Sequence, residues 1–110
     1  MSTQYNAPPV GQCGNWYARQ DFMPGSTPTL RVTGRCTFGT PGYTVVLKRA
    51  EPQGINPRIL ILDKVVTPPT GIVTQVVTTI DVPYEEETST KYEQVQIRPD
   101  GPIIDVEITS

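Results

Sequence analysis

Along Leu30–Phe38 the even positions Leu30, Val32, Gly34, Cys36 and Phe38 are apolar or small, and the odd positions Arg31, Thr33, Arg35 and Thr37 are polar. A period of two gives a strand one dry face and one wet face. After the turn residues Gly39-Thr40-Pro41-Gly42, residues 43–49 are predicted as a second strand with Tyr43, Val45 and Leu47 on one side. Residues 51–57 form a loop with two prolines, and 58–66 a strand whose opening run Ile59-Leu60-Ile61-Leu62 is dry on both faces or covered by another segment. Thr67-Pro68-Pro69-Thr70-Gly71 ends it. The β-branched run 72–82 is a further strand, with Val76, Thr78, Ile80 and Val82 sharing a face. Glu85 to Thr90 is polar enough to be read as a loop. Residues 92–98 and 102–109 then pair as a hairpin through Arg98-Pro99-Asp100-Gly101, with proline placed for a type I turn.

These strands and turns, with no helical stripe between them, predict an all-β fold. The expected form is a single antiparallel β-sandwich of about seven strands, Ig-like or fibronectin-III-like, with a small Greek-key barrel as the alternative. The sandwich is expected over 29–110. Residues 1–28 carry Pro8, Pro9, Gly11, Gly14, Pro24, Gly25 and Pro28, which break any long helix, so they are expected as an irregular N-terminal arm packing on the domain, with Asn15 to Phe22 a candidate edge strand.

The chain has 110 residues and 36% hydrophobic content, enough for one core. A net charge of −2 supplies no phosphate-binding field, so nucleic acid is not an expected partner. No apolar run approaches the roughly 20 residues that span a bilayer. The charge is uneven, +3 over residues 1–55 and −5 over 56–110, which suits alignment of a partner or of a second copy. Cys13 and Cys36, an even count without histidine, are read as one disulfide, worth roughly 3 kcal/mol in the chain-entropy model, or else as two reduced buried thiols. The bridge implies a secreted or periplasmic chain, the thiols a cytoplasmic one.

With no histidine, Ser-His and Cys-His mechanisms cannot be assembled, so no enzyme, cofactor or metal site is expected. For calcium, the candidate ligands are the carboxylates of Asp81 to Glu87 and Asp100, and their spacing fits no calcium loop. Aromatic display is the stronger signal. Trp16 and Tyr17 are adjacent, so an extended chain points them to opposite sides and shows one of them, and Tyr84 adjoins the acidic tract. The expected function is a non-catalytic binding or assembly module acting through protein–protein contacts, self-association included; a small carbohydrate-binding domain is a further alternative.

Thr40-Pro41-Gly42-Tyr43, Thr70-Gly71 and Arg98-Pro99-Asp100 occur in the order of the three loops of the chagasin-like inhibitors of cysteine proteases, and the chain resembles that family in these loops. Asp100 stands where the family has tryptophan, and only Gly42 and Tyr43 keep register in the first loop. The resemblance implies an Ig-type domain that inhibits a protease through loops containing Tyr43 and Arg98.

Overall fold

The computed structural model describes residues 7–71, 73–99 and 101–109, and over them the period of two becomes seven strands, with no helix among the described residues. These are β1 (Gln12–Asp21), β2 (Thr29–Phe38), β3 (Thr44–Arg49), β4 (Ile59–Thr67), β5 (Thr78–Glu87), β6 (Gln94–Arg98) and β7 (Ile103–Thr109). They form one nearly closed, barrel-like sheet in the order β3-β4-β6-β7-β1-β2-β5. The edge strands β3 and β5 face each other across a seam.

The all-β expectation is met, and the purely antiparallel one is corrected. β4 runs parallel to β6, and β1 parallel to β7; the other four pairings are antiparallel. Between β4 and β6 the chain crosses to lay β5 against β2 and then returns in β4's direction. Side-chain alternation sets which face of a strand is dry and is silent on which neighbour it meets.

Four further expectations change. Within the segment expected as an irregular arm, β1 is a ten-residue strand, interior rather than edge, with β7 on one side and β2 on the other. Glu85, Glu86 and Glu87 continue β5 instead of looping, because β5 pairs with β2 along its whole length and Arg31 ion-pairs with Glu85 across the ladder at 3.0 Å. The strand expected from residue 72 begins at Thr78, opposite Phe38 where β2 ends, so Val76 and Val77 have no strand to pair with and are exposed. Ile72 and Asp100 lie outside the described residues. The β6–β7 hairpin forms, but the Arg98–Pro99 peptide is cis and Gly101 N–H donates to the Ile97 carbonyl at 3.0 Å, a five-residue closure in place of a type I turn.

The core gathers Ala18, Leu30, Val32, Cys36 and Val82 from one half of the sheet and Leu47, Leu60, Leu62, Val95 and Ile97 from the other. Each is worth roughly 1.5–3 kcal/mol of burial if as large as valine or leucine. Cys13 sits directly opposite Cys36 in the β1–β2 ladder and is bonded to it. One bulge interrupts that ladder. Between the pairs Gly14–Arg35 and Tyr17–Thr33, two residues, Asn15 and Trp16, face Gly34 alone, and Asn15 takes the left-handed conformation at φ 57°. The bulge turns the Trp16 indole onto the bare Cα of Gly34.

Candidate functional site

The residues nominated from sequence do not form one cluster. Trp16 is half-buried against the core, and Tyr17, next to it, points outward and donates its hydroxyl hydrogen bond to Glu107. Tyr43 stacks on Phe38 with ring centroids 4.1 Å apart. Arg98 makes a two-pronged pair with Asp63, Nε to Oδ1 at 2.7 Å and Nη2 to Oδ2 at 3.1 Å, which holds that carboxyl below its ordinary value. Tyr84 faces inward to the seam. Among the described residues no three metal-ligating side chains gather.

The seam is closed at one end by side chains rather than by a ladder. Arg49 of β3 reaches Glu86 of β5 at 3.1 and 3.2 Å and the Tyr92 hydroxyl at 3.1 Å, and Tyr84 donates to the same carboxylate at 2.7 Å. Burial pushes the Tyr84 phenol well above its ordinary range, and the bond to Glu86 and that carboxylate's charge push it further. The fold therefore prefers the neutral phenol. Its contribution to stability is complete below the unfolded pKa, about 10, and is lost as pH climbs toward the raised folded value. Guanidinium melts at pH 8, 10 and 11 are expected to show stability falling above pH 10 in the wild type and falling less in Tyr84→Phe. Equal slopes in the two proteins would refute this account of the seam.

Beyond that closure, the two edges differ. β5 carries Pro83 at its middle and Asp81, Glu85 and Glu87 pointing outward, all devices that discourage pairing with another chain. β3 has no proline and no glycine, and no backbone hydrogen bond joins it to β5 among the described residues. Val46 is 49% exposed, and its ladder partner Val65 is 40% exposed. β3 carries its charges, Lys48 and Arg49, at the end bridged to β5, and is the less protected edge over Thr44–Leu47.

Two glutamines organise the connections. Gln20 is fully buried; its amide donates to the carbonyls of Thr90 at 2.6 Å and Thr88 at 3.4 Å and accepts from Tyr92 N–H at 3.2 Å, pinning the crossover from β5 to β6. Gln53 binds both backbone groups of Ile61 at 2.9 Å and so acts as a missing ladder residue beside β4. The signal for Gln20 was its position, two residues after Ala18 on the inward phase of β1.

A groove of about 590 Å³ opens where the chain drawn in by Gln20 leaves β7. Its lining includes Tyr92, Val106 and Ile108 with Lys91, Glu93 and Asp105. The two acids are engaged, Glu93 by Arg58 at 2.9 Å and Asp105 by Gln94 at 3.2 Å. Tyr92 is 6% exposed, which leaves little ring surface for a sugar to stack on. No known protein family, curated protein or solved structure matches the chain.

Proposed function

We propose that the protein is a non-catalytic contact module whose β3 edge pairs with the same edge of a second copy. The observation that carries this reading is the contrast between edges, β5 blunted along its length by Pro83 and acids, β3 charged only at Lys48 and Arg49 and presenting exposed Val46 over its open stretch Thr44–Leu47. Antiparallel pairing about Val46 sets valine against valine at the two-fold axis and Lys48 against Thr44 of the partner, so no like charges are opposed. The two halves of the sheet enclosing one core support describing each protomer as Ig-like or fibronectin-III-like, and the two parallel pairings favour the barrel.

Light scattering across a dilution series tests the pairing. The expected result is a mass that rises from monomer toward dimer with concentration, and a Val46→Lys variant that dimerises at least about tenfold more weakly, the cost of roughly 1.4 kcal/mol. A wild type that stays monomeric throughout would remove the self-association reading.

A second reading, the loop-presenting inhibitor, has one observation in its favour. Gly42 packs against Pro69, so the connections before β3 and after β4 abut, and the parallel register of β4 with β6 brings the Arg98 turn to the same end of the sheet.

A further inference from the structure

β7 changes partner halfway along. Ile103–Asp105 pair with β6, whereas Val106–Thr109 pair with β1. The last link to the β6 side is Val106 N–H to the Glu93 carbonyl at 2.9 Å; beyond it, Tyr92 N–H turns away to Gln20. Backbone direction alternates along a strand. Thr109 gives its carbonyl to Phe22 N–H on the β1 side, and Val106 gives its N–H to the opposite side, so Ile108 presents both its N–H and its C=O to the gap. Neither has a hydrogen-bond partner among the described residues. The Ile108 side chain shares the inward face with Gln20, its ladder partner, yet is 45% exposed because no strand covers it.

We propose that this gap accepts an extended acidic-apolar segment of a partner protein, which adds to the edge of β7 at Ile108. Strand addition needs unpaired backbone for affinity and a pocket for alternate side chains for selectivity, and the gap offers both, with Val106 and Ile108 as the apolar floor. The lining sets Arg58 and Lys91 against Glu93 and Asp105, and of the two cations Lys91 is the one that selects the segment. Arg58 is matched by Glu93, but the Lys91 ammonium lies over the Phe22 ring, 5.4 Å from its centroid, and has no carboxylate partner among the described residues. A carboxylate on the incoming strand completes it. The inference rests on the contact reading but uses a different edge, so the two fail separately.

The probe is a capped, fluorescein-labelled peptide Thr-Val-Asp-Val-Thr, titrated against the full chain by anisotropy. The expected results are saturable binding, at least about tenfold weaker binding when lysine replaces the peptide's aspartate, and reversal of that preference in Lys91→Glu. Ile108→Lys is expected to lose at least about tenfold, and N-methylation of the peptide's valines to abolish binding, whereas Val46→Lys leaves it unchanged. Four outcomes would overturn the proposal: no binding at about 1 mM peptide, near the weak limit of specific recognition; equal binding of the N-methylated peptide; displacement by valerate at equal concentration, which marks a small-carboxylate site; or loss of binding in Val46→Lys but not in Ile108→Lys.

Discussion

Replacing Gln20 with leucine is expected to lower the stability of the protein by about 3 to 4 kcal/mol, because leucine fills the space and serves none of the backbone groups that the amide holds. Gln20 is the one fully buried glutamine among the described residues, and its side chain meets three backbone groups of the β5–β6 crossover. Tyr92 is 6% exposed, so its N–H has little access to water once Gln20 Oε1 is gone and bears most of the penalty. Thr90 is exposed and recovers part of its loss from solvent. The measurement is guanidinium unfolding, where the midpoint should fall with the slope unchanged, since the surface exposed on unfolding is the same. Hydrogen exchange supplies a local check, with the Tyr92 amide protected in the wild type and fast in the variant. A loss below about 1 kcal/mol, with Tyr92 still protected, would mean that the crossover is held by something other than this amide.

Gln20 also marks the boundary of what the residues disclose before folding. The alternation in Leu30–Phe38 translated directly into β2, since Leu30, Val32 and Cys36 are fully buried, and Cys13 was pairable with Cys36 because no other thiol competes. The hairpin of β6 and β7 followed from proline and glycine flanked by alternating runs. What stayed hidden depends on contacts distant in sequence. The parallel neighbours β1 and β7 are the first and last strands among the described residues, and nothing local encodes their meeting. Glu85 to Glu87 look like a solvated loop until Arg31 and Arg49 stand opposite them. The candidate site was hidden for the same reason. Val46 lies on the face opposite Val45 and Leu47, where alternation says nothing of the edge beside it, and Ile108 keeps the inward phase of β7 yet is exposed because β7 parts from β6. The aromatic signal misdirected for a related reason, since the bulge at Asn15 returns the Trp16 indole to its own sheet.

That bulge leads to the second large effect. Gly34→Val is expected to cost about 4 kcal/mol, although valine is among the best strand formers and Gly34 lies in mid-strand, where glycine ordinarily weakens pairing. A Cβ at position 34 would fall within the Trp16 indole, 2.7 Å from Cδ2 and closer still to Cε3 and Cζ3, so the ring must leave. Overpacking alone costs about 1 to 3 kcal/mol, and the apolar contact that the indole loses on expulsion adds the remainder. Trp16 is the sole tryptophan, so its fluorescence reports the displacement without interference, and emission is expected to shift to the red in the folded variant. The decisive comparison is a double-mutant cycle. In a Trp16→Ala background the obstruction is absent, and Gly34→Val should then cost less than about 1 kcal/mol or stabilise, a coupling of roughly 3 kcal/mol between residues in direct contact. If valine is equally harmful without the indole, the obstruction lies in the backbone of the ladder and the pairing of bulge, tryptophan and glycine is not what shapes this part of the sheet.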